Sequence, residues 1–139
     1  MTSIKLPSNI EILSDSLLTG CENLTSIDIP TSVKEIGQGT FAHCYGLTSV
    51  TVPSGVTLID TGAFSYCENL TSVSLPDTLE TVNAFAFSTC LKLMEVTVPN
   101  SVSEINRLAF GYWFNMSVWN DVLLNGFVLK GYRANLCQF

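Results

Sequence analysis

Hydrophobic and polar positions recur along the 139-residue chain with one fixed step. In residues 47–69, LTSVTVPSGVTLIDTGAFSYCEN, the apolar places are Leu47, Val50, Val52, Val56, Ile59, Ala63, Phe64 and Cys67. The same places are apolar, nearly throughout, in units that open at Met1, Leu24, Leu70 and Leu93. Pro7, Pro30, Pro53, Pro76 and Pro99 stand 23 residues apart, and Cys21, Cys44, Cys67 and Cys90 keep that step. A repeat held in register over five units is the mark of an array, not of a single closed core.

Two periods share each unit. Val50 and Val52 alternate with Ser49 and Thr51, which predicts a short strand with one face buried. Pro53 ends it, having no N–H to donate and holding Val52 extended. Ala63, Phe64 and Cys67 then follow the spacing of one short helical turn. Asn23, Gly46, Asn69, Lys92 and Asn115 are the expected stops of that turn, Asn and Gly being the residues that best tolerate a left-handed cap. One such unit buries too few side chains to offset the entropy of ordering it. Stacked units cover each other's flanks and join their strands in a parallel ladder about 4.8 Å apart, so the pattern predicts a solenoid.

The motif LxxVxVPxxVxxIxxxAFxxCxx, as it stands in residues 47–69, resembles the leucine-rich repeats of the BspA type found in bacterial and protist surface proteins. Units two to four match it nearly throughout; the first carries Leu17 and Leu18 in place of Ala-Phe, and the fifth has Trp113 in place of Cys. The resemblance implies an α/β-type repeat solenoid. This is a right-handed superhelix with a parallel sheet on its concave face, short helical turns on its convex side and a C-terminal β-hairpin. It also implies a cell-surface or secreted protein that adheres to host or matrix proteins.

The expected organisation is therefore five 23-residue repeats over residues 1–115, with residues 116–139 forming a hairpin insertion or cap and the start of a further repeat. Asn125-Gly126 lies between two apolar runs, the strongest short hairpin signal. Leu136, Cys137, Gln138 and Phe139 match the opening of a new unit, as in a fragment of a longer array. The alternative is that Trp113, Phe114, Trp119 and the hairpin form a native cap.

Composition narrows the function. Six Lys and Arg against twelve Asp and Glu give a net charge of −6, which argues against a phosphate-binding or nucleic-acid surface. Apolar runs are far shorter than the roughly 20 residues of a membrane span, and no basic-then-apolar leader opens the sequence. That leaves a non-secreted protein, or a piece from inside a longer one.

Candidate chemistry is sparse. Successive thiols of the cysteine column would lie near 5 Å apart, a distance open to disulfides, to a metal, or to plain burial. Placement after Ala-Phe on the inward face, with Trp113 at the equivalent place, favours burial. His43 adjoins Cys44, but neighbours on a turn diverge by about 100°, so no catalytic dyad is expected, and His43 is read as a surface residue. The glycines form no phosphate loop, and no cofactor pattern or carboxylate pair stands out. The expectation is a protein that is not an enzyme. Asn23, Asn69 and Asn115 fit the N-glycosylation pattern, which the Asn-Leu-Thr junction creates by itself.

The expected partner site is the outer face of the strands. Ser26, Ser49, Ser72 and Glu95 form one column there, and Asp28, Thr51, Ser74 and Thr97 the next. These side chains offer hydrogen bonds and little apolar grip. A spacer role, or an intracellular scaffold, is the competing reading. The aromatic group Tyr112, Trp113, Phe114, Trp119 and Tyr132 is a second candidate for contact, with closure of the core's end as its competing role.

Overall fold

The computed structural model describes residues 3–115, 120–123 and 126–131. Its regular structure is entirely β. Three-residue strands β1 (Ser3–Lys5), β3 (Ser26–Asp28), β5 (Ser49–Thr51), β7 (Ser72–Ser74) and β9 (Glu95–Thr97) form a first column. They alternate along the chain with β2 (Ile12–Leu13), β4 (Glu35–Ile36), β6 (Leu58–Ile59), β8 (Thr81–Val82) and β10 (Glu104–Ile105). Three strands follow: β11 (Tyr112–Asn115), β12 (Asn120–Leu123) and β13 (Val128–Lys130).

The second column is one parallel sheet in the order β10-β8-β6-β4-β2. In the first column the parallel pairs are β1 with β3, β5 with β7, and β9 with β13. Partners lie one repeat apart, as in Ser49 with Ser72 and Ile36 with Ile59. Each proline works twice. It ends the strand, and its carbonyl accepts the N–H three residues on: Ile10, Val33, Val56, Leu79 and Val102 all bond back to their proline. The inward side chains of all coils merge into one core, from Leu13 and Leu24 through Phe41, Phe64 and Phe87 to Phe110.

The expected helical turn is absent from the described residues, and the reason lies in the backbone. Residues at the sixteenth and twentieth places of the coils are left-handed: Ser16 and Gly20, Gly39 and His43, Gly62 and Tyr66, Phe85 and Thr89. The expected caps one turn later, Asn23, Gly46 and Asn69, have no positive φ. Gly46 is required by close approach instead, since a Cβ there would sit 2.6 Å from the Glu22 carbonyl oxygen. With left-handed residues spaced this way, alternate N–H groups turn in different directions. Thr40, Ala42 and Cys44 bond back three residues within the coil, while Gly39, Phe41 and His43 donate to Thr61, Ala63 and Ser65 of the next coil. A helix would spend every N–H within its own segment. The ladder between coils prevails because it continues the stack.

The C-terminal antiparallel pair also sits elsewhere than expected. β11 pairs with β12, not the two runs that flank Asn125-Gly126. The second run, Val128–Lys130, lies parallel on β9, with Val128 opposite Glu95 and Lys130 opposite Thr97. The open edge of β9 offers unpaired backbone groups, and Leu129 packs on the core there, which a free hairpin could not match. The further unit expected from Leu136 lies outside the described residues, as do Trp119 and Tyr132 of the aromatic group.

Candidate partner-binding site

The first strand column holds the candidate site. Its alternation is set by the strand period: Val50 and Val96 point inward and are buried, and Ile27 and Val73 are half-buried. The side chains between them face outward. Ser26, Asp28, Ser49, Thr51, Ser72, Ser74, Glu95 and Thr97 are all exposed, so all eight expected site residues share one surface. Where β3 meets β5, an open groove of about 500 Å³ runs between the coils, lined by Ser26, Asp28, Ser49 and Thr51 with Ile27 at its floor. A second groove follows at β7 and β9, lined by Val73, Ser74 and Thr97. The two half-buried aliphatic residues therefore border the strand pairs that are not joined by a ladder. At the far end the Lys130 ammonium lies 2.9 Å from a Glu95 carboxylate oxygen.

The thiols occupy the interior. Cys44, Cys67 and Cys90 are buried, and Cys21 in the first coil is half-buried. Each buried thiol donates to the carbonyl of the preceding coil: Cys44 Sγ to Leu18 at 3.3 Å, Cys67 Sγ to Phe41 at 3.2 Å, Cys90 Sγ to Phe64 at 3.2 Å. Those same carbonyls also accept the N–H of the cysteine in their own coil, so both lone pairs are used. Burial pushes the Cys44 thiol up to about 11 and Cys90 to about 12, and it raises Cys67 as well. Such thiols are packing groups with no thiolate to offer. Among the described residues no group of three or more His, Cys, Asp or Glu side chains could hold a metal ion, and no helix is long and apolar enough to cross a membrane.

A polar ladder runs beside the second column. The Asn106 amide donates to Asn83 Oδ1 at 2.8 Å, and the Asn83 amide to Asp60 Oδ1 at 2.7 Å. The Asn83 amide, with the Thr61 N–H, holds the Asp60 carboxyl below its usual range against the opposing effect of burial. Asn69 is similarly occupied: its amide donates to the Tyr45 carbonyl at 2.7 Å, and its Oδ1 accepts the Lys92 ammonium at 2.6 Å. A glycan on Asn69 would replace one amide hydrogen of this arrangement.

His43 differs from its expected place on the open surface. It is half-buried, stacked on Tyr66 of the next coil with centroids 4.6 Å apart. Its Nδ1 lies 3.0 Å from the Tyr45 hydroxyl. The signal was in the repeat: Tyr66 follows His43 at the same place one unit later, and in-register ladders bring equal places together.

Stacked 23-residue coils with a strand closed by proline and an aromatic–thiol interior define a family. A BspA-type leucine-rich repeat region of six copies matches residues 1–117. The chain belongs to the BspA-type leucine-rich repeat family. A leucine-rich repeat protein of T. pallidum is 33% identical over 78% of this chain and 53% of its own, with a TM-score of 0.76. One from Bacteroides ovatus is 35% identical over 78% of this chain and 34% of its own, with a TM-score of 0.57. A leucine-rich cell surface protein from Faecalibacterium prausnitzii shares the fold at 20% identity and a TM-score of 0.53, over 89% of this chain and 54% of its own. The leucine-rich repeats described here thus span a third to a half of those chains. No curated protein matches the sequence. Family and fold together make this a protein-interaction or structural repeat module.

Proposed function

We propose that this leucine-rich repeat module is non-enzymatic and binds another protein, such as a host or matrix protein, along its concave sheet. We place it in a cell-surface or secreted protein. The observation that carries the reading is the sharing of one exposed face by all eight outward side chains of β3, β5, β7 and β9, with the groove between β3 and β5 at its centre. Two short rows of hydroxyls, flanked by Asp28 and by the Glu95–Lys130 pair, suit a partner that supplies donors and acceptors in matching order. The surface location is supported by family membership and by the Faecalibacterium cell surface protein that shares the fold.

The test compares binding of candidate matrix proteins to the native chain and to Ser49→Lys/Thr51→Lys/Ser72→Lys/Ser74→Lys. Four ammonium groups on the concave face should abolish a saturable signal there. Unchanged binding would remove that face from the reading. A spacer role is favoured by one observation, that the two columns contain no Trp, Tyr or Arg, the residues that dominate interface energies. A spacer should give no saturable partner for this block at all.

A further inference from the structure

The corner that leads into the concave strands carries a feature the concave reading does not use. At the twenty-second place of successive coils stand Glu22, Tyr45 and Glu68. The turn beneath them repeats: Leu24 N–H bonds to the Cys21 carbonyl at 3.0 Å, Leu47 to Cys44 at 3.1 Å and Leu70 to Cys67 at 3.0 Å. Equal backbones send the three side chains off the same corner, one coil step of about 4.8 Å apart. The register therefore sets Tyr45 between Glu22 and Glu68, with Glu22 exposed and the other two half-buried.

That tyrosine is held in place. Its hydroxyl meets His43 Nδ1 at 3.0 Å, and its ring stands edge-on to the imidazole, 5.9 Å away and inclined by 74°. His43 is fixed in turn by stacking on Tyr66, 13° from parallel. Little side-chain entropy remains to be lost when something docks on the ring. Among the described residues neither Glu22 nor Glu68 is paired with a cation. The nearby Lys92 ammonium is engaged one column over, on Asn69.

An electron-rich ring face flanked by two unpaired carboxylates is the arrangement that receives a cation. Arginine fits it best, because a planar guanidinium stacks on an aromatic ring while its edge N–H groups reach carboxylate oxygens. We infer that Glu22, Tyr45 and Glu68 form a docking point for an arginine of a basic segment in a partner protein, separate from the concave face. The excess of twelve acidic over six basic residues favours the approach of such a segment.

The probe is a fluorescent peptide of alternating arginine and glycine, followed by anisotropy at low salt, with a glutamate–glycine peptide as its charge-reversed counterpart. Glu22→Gln/Glu68→Gln should weaken binding about tenfold, and Tyr45→Leu about fivefold. Tyr45→Phe keeps the ring and should stay within about twofold. Glu35→Gln/Glu80→Gln removes the same net charge from other places in the coils and should also stay within about twofold. His43 is the one histidine of the sequence, so its imidazole proton resonance reports the site directly and should shift as the arginine peptide saturates. The inference is overturned if the Glu35/Glu80 variant loses as much affinity as the Glu22/Glu68 variant, if Tyr45→Leu binds like the native chain, or if the His43 signal stays still at saturation. Should Tyr45→Leu fail to fold by circular dichroism, the two carboxylate pairs and the His43 resonance decide alone.

Discussion

Phe64 and Phe87 lie ring over ring, with centroids 5.0 Å apart and planes 4° from parallel. Phe41 stacks on one side of this pair at 4.9 Å and Phe110 on the other at 5.0 Å, so four coils share one aromatic column. The spacing is that of the backbone ladder. Rings stacked this closely to parallel gain less from quadrupole attraction than tilted ones would. Their contribution is mainly apolar area removed from water.

Removing a ring from the middle of the column should therefore act as a cavity. Phe64→Ala should cost about 3–5 kcal/mol in urea unfolding, the usual range for a buried phenylalanine. Phe41 stacks on a ring on one side only, since the same place of the first coil holds Leu18, so Phe41→Ala should cost less than Phe64→Ala. Equal costs would mean that the column adds nothing beyond each coil's own burial.

The thiol column should resist labelling in a graded way. In a Cys137→Ser background, a thiol reagent at neutral pH should modify Cys21 first, since it alone of the four is half-buried, and reach Cys44, Cys67 and Cys90 at the rate of unfolding. The same burial sets an alkaline limit. The folded-state values of Cys44 and Cys90 lie above the ordinary thiol value of 9.0, so the folded state favours the protonated thiol. This contribution is complete below 9.0 and is lost as pH rises through about 11 and 12. Cys44→Ala/Cys90→Ala should weaken the protein at neutral pH yet flatten its decline above 9.0. A decline as steep as in the native chain would place its cause elsewhere.

The repeat was legible because burial recurs at fixed places, and five prolines mark the same strand end. The path between the strands was not. Ala63, Phe64 and Cys67 have helical spacing, yet two left-handed residues per coil redirect alternate N–H groups to the neighbouring coil. Ser16, Tyr66, Phe85 and Leu108 adopt that conformation without any residue-type preference for it, so propensity could not reveal it. Asn125-Gly126 was a sound local turn signal, overridden when Val128–Lys130 met the open edge of β9. The outward facing of the eight candidate residues followed from the strand period alone. The His43–Tyr45–Tyr66 group required knowing that equal places in successive coils touch.

Asp60 should make stability depend on pH at the acid end. Its folded-state value lies below 3.8, held down first by the Asn83 amide and then by the Thr61 N–H. The contribution is present in full above the unfolded value and is lost as pH falls through the lower folded one. Asp60→Asn keeps an acceptor oxygen for Asn83 and should flatten the loss of melting temperature below 3.8. Asn83→Leu should destabilise at neutral pH, because Asn106 then keeps only one of its two acceptors, Glu104 Oε1. If Asp60→Asn melts with the native acid profile, the ladder is not the titrating element.

Gly111 tests how the last strand is held. It is left-handed at φ +73°, and a Cβ there would lie 2.5 Å from a ring carbon of Phe127. Phe127 packs on the core just before β13, which is tied to β9 by hydrogen bonds from Val128 N–H to Met94 and from Val98 N–H to Lys130, both 2.8 Å. Gly111→Ala must therefore strain the backbone and displace the ring together. Amide exchange at Val128 and Val98 should accelerate by about 1–3 kcal/mol in protection, while Val52 and Phe64 in the middle coils keep native rates. Adding Phe127→Ala should remove the steric part, so the two substitutions together should cost less than the sum of each alone. Strict additivity would mean that ring and glycine do not meet, and that β13 is anchored by its ladder and Leu129 alone.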